Sequence, residues 1–296
     1  MIYDLHLHTW WSYDATTDPE AYFRRGRELG LRCLAITDHH VTDSRDEVAA
    51  IAARYPEIRW VPSAELTVTC FRGAVDLLCY NLPAAAPPGL RQVLNAYHSW
   101  QQETGAAMTQ ALQTLGYDYT ETHRREVLES YRPAKAIAVQ GLTHVKSAVL
   151  KDYFRQRGFA ATDEEHADLL RRARDAAHFP LYPAVDFVVP AVKEAGGLVA
   201  IAHPFKYFGG CDRDIMDRLC RDCQLDGIEC ANGKNVPADH VHLYRQYCVE
   251  RGLFSTAGSD CHAPEALDGQ LAFRGPEFAP YRGQNDWLDE FMARLD

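Results

Sequence analysis

Two histidines stand two residues apart near the start of the chain, in Asp4-Leu5-His6-Leu7-His8-Thr9. The alternation of Leu5 and Leu7 with the histidines reads as a strand, in which residues two apart project from one face. Two neutral imidazoles on one face are half of a transition-metal site. The plain alternative is a strand whose polar side happens to carry histidine, so the rest of the chain has to decide. Asp260 and His262 repeat the spacing in Gly258-Ser259-Asp260-Cys261-His262, and between the two pairs come Asp38 or His39, Glu65, Asp76, and His203 before Pro204. Histidine with carboxylate, and no cysteine at these positions, suits zinc, manganese or iron better than calcium or magnesium. So many candidate ligands exceed the four of a structural zinc and point to two or three divalent ions in a hydrolytic site.

Such residues cooperate only if the elements carrying them aim at one place. Asp18 as N-cap with Pro19 behind it opens a helix that Gly30 stops, and Leu31 to Thr37 is a short apolar strand running into Asp38-His39. A helix over 46–55 leads to a strand over 59–62, with Glu65 at its end, and a buried strand over 74–80 carries Asp76 as its one charge. Strands over 198–202, 227–230 and 253–257 alternate with helices over 183–195, 214–223 and 239–251. Polar residues gathered at strand ends are the α/β pattern, with the site at the C-terminal edge of the strands. Between the Pro83 to Pro88 breaker run and Ala177 the periodicity is helical instead, most clearly over 91–115, 144–157 and 163–177. The organisation expected is a barrel from residues 1–82 and 183–285, a helical insertion over 83–182 and a closing helix within 286–296.

Composition narrows the partners. With 31 basic and 41 acidic residues the net charge is −10, which argues against coating a long nucleic acid. No apolar run approaches the roughly 20 residues that span a bilayer. Nine scattered cysteines with no preceding secretory signal read as free thiols in a reducing cytoplasm, and Cys220-x-x-Cys223 falls in helical pattern as a structural pair.

Four stretches, Asp4-Leu5-His6-Leu7-His8-Thr9, Ile36-Thr37-Asp38-His39, Ala202-His203-Pro204 and Gly258-Ser259-Asp260-Cys261-His262, resemble in order and spacing the motifs of the PHP (polymerase and histidinol phosphatase) family. The insertion resembles more loosely that of the nucleoside-phosphate phosphoesterases in the family. The resemblance implies a distorted (β/α)7 TIM-like barrel with a trinuclear centre. Carried over position by position, it gives a first metal to His6, His8, Glu65 and Asp260, a second to Glu65, Asp76 and His203, and a third to Asp14, His39 and His262. At Asp76 the family usually has histidine, and the change favours harder ions. The relatives also often carry Arg-Pro-His in the insertion, where this chain has Leu142-Thr143-His144. That leaves His144 with Lys146, Lys206 or Arg132 as candidates for binding substrate.

The chemistry expected is hydrolysis of a small phosphomonoester or nucleotide. A water shared by two cations loses a proton near neutral pH, giving a hydroxide nucleophile, and a cation on a non-bridging oxygen offsets charge at phosphorus. Glu65, His203 and Asp260 are the residues expected to carry catalysis, with His203 or His144 as proton donor. The alternatives are an exonuclease using the same ions, an amidohydrolase cleaving a C–N bond, and a non-catalytic metal-binding module.

Overall fold

The computed structural model describes residues 2–232, 235–263 and 286–295. Its centre is one seven-stranded sheet whose spatial order follows the chain. The strands are β1 (Ile2–Leu7), β2 (Leu31–Ile36), β3 (Arg59–Cys70), β4 (Gly73–Tyr80), β5 (Leu198–Ile201), β6 (Gly227–Asn232) and β7 (Phe254–Gly258). Pairing is parallel from β1 to β3 and from β5 to β7, while β4 runs antiparallel to both β3 and β5. That one reversed strand is the distortion of the barrel. It exists because β3 turns straight into β4 through Phe71 and Arg72, with Gly73 at φ +99°, leaving no room for a crossover helix.

The sheet nearly closes on itself. Leu7 bridges Cys261 in parallel, Asp260 N–H donates to His6 O (2.9 Å), and His8 N–H donates to Cys261 O (3.0 Å). Gly258 permits this seam, because a Cβ there would lie 2.3 Å from His6 Cβ. Tyr22, on α1 (Pro19–Leu29), holds the seam from outside, its hydroxyl 2.7 Å from His8 O and 2.9 Å from Cys261 O. The α1 helix starts where its sequence indicates, with the Asp18 side chain accepting from Glu20 N–H and Gly30 ending it in a left-handed conformation. The helix α2 (Arg45–Ala52) follows β2.

The segment between β4 and β5 is helical: α3 (Pro88–Thr114), α4 (Glu121–Glu129), α5 (Ala134–Gln140), α6 (Ser147–Gln156), α7 (Asp163–Ala176) and α8 (Val185–Glu194). Leu112, Tyr119, Leu128, Leu150, Phe154 and Leu169 pack there into an apolar cluster separate from that of the barrel. The barrel's own core joins Leu5, Leu66, Leu77, Val199 and Ile228, and it takes in Leu90, Val93 and Tyr97 from the first half of α3. Completing the chain are α9 (Pro204–Phe208), α10 (Arg213–Asp222), α11 (Ala238–Arg251) and α12 (Asp286–Met292), the last burying Trp287, Leu288 and Phe291.

Three differences from the sequence expectation bear on the site. The strand expected over 59–62 runs on to Cys70, because Leu66-Thr67-Val68-Thr69 pairs along its whole length with β4, so Glu65 lies within a strand opposite Leu78. The helix expected from His144 begins at Ser147, since Thr143 and His144 run close against Gly105 of α3 and His144 N–H donates to Gln101 O (3.0 Å). The helix expected from Pro183 begins at Val185, because Pro183 O accepts from Thr69 N–H (2.9 Å) and Ala184 bridges Thr69. Of the expected barrel segment 183–285, residues 264–285 lie outside the described residues. All nine cysteines are free thiols, and among the described residues no helix is long and apolar enough to cross a membrane.

Candidate metal centre

β1 delivers His6 and His8 to the mouth of the barrel, where both side chains are fully buried. Their Nε2 atoms face each other at 3.0 Å. Glu65 Oε2 stands 3.0 Å from the first and 3.2 Å from the second, and Asp260 Oδ1 stands at 3.5 Å and 3.3 Å. Four donors about 2.1 Å from a tetrahedral cation lie about 3.4 Å from one another, which is the spacing this group already has. Two imidazole nitrogens turned on each other beside two carboxylates have little other reason to converge, so this donor set fits a divalent cation.

Glu65 uses both of its oxygens. Its Oε1 lies 3.4 Å from His203 Nε2, and Asp76 Oδ2 lies 4.0 Å from the same nitrogen. A second donor set, Glu65, Asp76 and His203, therefore shares this carboxylate with the first. Asp76 is steadied by Thr67 Oγ1–H, which donates to its Oδ1 (2.6 Å), and by the Tyr207 hydroxyl, which donates to its Oδ2. A third set gathers on the other side of His8, whose ring lies 4.5 Å from that of His39 and 4.1 Å from that of His262. Asp14 Oδ2 is 3.6 Å from His39 Nε2 and 3.3 Å from His262 Nε2. All nine metal-ligand candidates of the sequence thus come together, drawn from β1, β3, β4 and the segments that follow β1, β2, β5 and β7.

The electrostatics of the cluster follow from this crowding. Burial opposes charge on His6, but Glu65, Glu229 and Asp260 outweigh it and raise its pKa well above the ordinary value. His8 goes the other way, lowered by burial and by its neighbours His262 and His39. Burial works against ionising Glu65 and Asp260 too, yet the imidazoles, His6 first, hold both below the carboxylate range. Asp14 is likewise held low against burial by His39 and His262. Ionised carboxylates are the state that cations require, and a cation bound at His6 would take the place of its ring proton. Two members also carry backbone strain, His203 at φ +29° and Asp260 at φ +56°, each costing about 1 kcal/mol or more that the surrounding structure must hold.

The remaining candidates separate. Lys146 and Lys206 line the same cleft as the metal-ligand candidates, a space of about 510 Å³, and neither has an acidic partner among the described residues. His144 does not line that cleft. It stands behind Tyr13, with ring centroids 3.9 Å apart, and burial pushes its pKa down to about 4, so it is neutral near neutral pH and unsuited to donate a proton. Arg132 is withdrawn from substrate, buried at 3% exposure and bonded to Thr143 Oγ1, Trp11 O and Gln140 Oε1. Of Asp38 and His39, only His39 faces the donors. Asp38 accepts from Thr9 N–H (2.6 Å) and the Thr9 hydroxyl, and burial raises its pKa to about 6.

One residue escaped the sequence reading. Glu229 is fully buried on β6, with His6 Nδ1 at 3.0 Å from its Oε1, and its Oε2 accepts from His203 N–H (2.7 Å) and Asn232 Nδ2 (3.2 Å). It fixes the ring of one candidate ligand and the backbone of another. The signal was available: Glu229 is the lone charge in an apolar strand, the feature that singled out Asp76.

A cluster of imidazoles and carboxylates at the mouth of a barrel with one reversed strand defines a metal-dependent hydrolase. The PHP domain matches residues 4–181, more than half of the 296, and the chain belongs to that family. A 3′,5′-nucleoside bisphosphate phosphatase of Chromobacterium violaceum is 27% identical over 269 residues, covering 88% of this chain and 87% of that protein. The 5′-3′ exoribonuclease Rnm of Salmonella typhimurium is 25% identical over 279 residues, 89% of this chain and 86% of its own. The fold is shared with a Bifidobacterium adolescentis protein provisionally named a metal-dependent phosphoesterase, at TM-score 0.70 and 22% identity over 99% of this chain and 96% of the other. It is shared also with an amidohydrolase structure from C. violaceum holding sulfate and no metal, at TM-score 0.70 and 24% identity over 91% and 90%.

Proposed function

We propose that the protein is a metal-dependent phosphatase of small phosphorylated molecules, with His6, His8, Glu65 and Asp260 holding a first ion, Glu65, Asp76 and His203 a second, and Asp14, His39 and His262 a third. The observation that carries this reading is the division of Glu65, whose two oxygens face two different donor sets. Divalent cations bound there, of the zinc, manganese or iron kind, supply an activated water and neutralise charge on the phosphoryl oxygens. The chain's own residues do the rest. Glu65 fixes the spacing of the first two sites, and Glu229 keeps His6 and the turn at His203 in place. Lys146 and Lys206 give the cleft the two cationic side chains that hold a phosphate in line. The C. violaceum relative is named for a small nucleotide, which supports a small substrate here, and an acidic chain supports it too.

The exoribonuclease relatives support a second reading, stepwise cleavage at the end of an RNA strand. Phosphate release from mononucleotides and nucleotide release from short oligonucleotides, each with manganese, zinc or iron supplied, separate the two. A phosphatase acts on the mononucleotide with little dependence on salt, whereas an exonuclease prefers the oligonucleotide and loses rate as salt rises. Neither phosphate nor nucleotide released from any of these esters in the presence of metal would sink both readings.

A further inference from the structure

Of Asp14, His39 and His262, the third donor set, the sheet ties down two directly. His39 bridges Glu65 of β3, and His262 follows Cys261, which bridges Leu7 of β1. Asp14 stands seven residues beyond Leu7, in a segment that is neither strand nor helix, and among the described residues no bridge ties it to the sheet. Its carboxylate accepts from the Ser12 hydroxyl (2.9 Å), and on the far side of it Thr16 N–H donates to His262 O (2.9 Å).

The near side of that segment is held by the helical region. Trp11 O accepts from Gln140 Nε2 (3.0 Å) and Arg132 Nη2 (3.3 Å), and Tyr13 O accepts from the Tyr131 hydroxyl (2.8 Å). Gln140 ends α5, while Tyr131 and Arg132 lie in the turn between α4 and α5. The helical region thus contributes none of the nine donors, yet it grips the backbone that leads into one of them. The Tyr131 hydroxyl also accepts from Lys146 N–H (3.0 Å). One oxygen therefore joins the segment carrying Asp14 to the segment carrying Lys146, and both of those residues line the metal cleft. A hydroxyl that donates one bond and accepts another sets two segments at a fixed separation. Removing it leaves a carbonyl and an N–H without that partner, and a ligand without its outer support.

We propose that Tyr131 is a positioning residue for the third ion and for the phosphate-binding lysine. It sets Asp14 through the Tyr13 carbonyl and Lys146 through its N–H, so both follow the seating of the helical region on the barrel. This rests on the reading above, which gives Asp14, His39 and His262 a third ion and Lys146 the phosphate.

The test measures manganese binding to the protein stripped of metal, and the affinity of the loaded protein for inorganic phosphate. Neither needs turnover. Asp14→Ala identifies the third class of manganese site by abolishing it, and Lys146→Ala weakens phosphate about tenfold with the manganese isotherm unchanged. Tyr131→Phe, which keeps the ring and its packing, is expected to weaken that one manganese class about tenfold, leave the others as in the wild type, and weaken phosphate as well. A manganese isotherm or a phosphate affinity that stays at its wild-type value in Tyr131→Phe overturns the proposal, whatever happens to the denaturation midpoint. So does a loss shared evenly by every class of site. An Asp14→Ala isotherm equal to that of the wild type overturns the third site and the role of Tyr131 with it. The expected isotherms in a protein that hydrolyses no phosphoester uphold the role of Tyr131 and overturn the phosphatase reading alone.

Discussion

The mouth of the barrel and the helical segment over 83–182 solve opposite problems. The mouth assembles polar donors from seven places along the chain, on strands or in the segments that follow them, and buries or half-buries each one. A strand ladder can do this because its hydrogen bonds fix where each backbone position lies, and period-two alternation fixes which side faces in. The helical segment instead packs its own apolar cluster around Phe154 and Leu169 and holds its ends with local caps, such as the reciprocal Thr162–Glu165 box that opens α7. Groups that must sit within tenths of an ångström of one another lie on the sheet or in the segments that follow its strands, and the apolar packing of the helices lies where small shifts are tolerated.

Substitutions in the two regions should therefore fail in different ways. The largest effect is expected at the first donor set. His8→Ala or Asp260→Ala should lower phosphatase activity about a thousandfold, the worth of several kcal/mol of charge stabilisation, with circular dichroism unchanged. Full activity in either variant would break the comparison at its root. In the helical segment, Phe154→Ala should cost roughly 3–5 kcal/mol of stability by leaving a void, read by denaturant unfolding, while metal content per chain is kept. Loss of the metals in that variant would mean that the two regions are not separable.

Smaller effects sharpen the contrast. Glu229→Gln should weaken metal binding about 10- to 100-fold, measured by competition with a chelator, because a ligand's orienting partner is altered and not the ligand itself. Unchanged affinity would reduce Glu229 to a packing residue. Lys146→Ala and Lys206→Ala, at the rim where barrel and helices meet, should each raise KM about tenfold and leave metal content alone. A fall in bound metal would move those lysines from substrate to centre.

How far each region could be foreseen follows the same division. His6 with His8, and Asp260 with His262, were legible because spacing alone puts two-apart residues on one face. His39 and His203 were legible because each ends a short apolar run. Glu65 was found but misplaced at a strand end, since the length of β3 depends on β4 as a partner and pairing is not a local property. Glu229 was missed for a similar reason, its role resting on contact with a histidine 223 positions away. In the helical segment periodicity located α3 and α7, but not α4 or α5, which are short. It also drew α6 back over His144, which the close approach to Gly105 holds outside the helix.

The seam between the first and last strands has a consequence for assembly. Asp4 accepts from Ser259 N–H across 255 positions, and the first donor set needs His6 from one side of that join and Asp260 from the other. An ion seated there registers that the polypeptide has come full circle. Since β7 leaves the ribosome long after β1, the complete set of four donors arises only once translation has passed residue 260, and cation loading crowns the finished barrel where it could have seeded a nascent one.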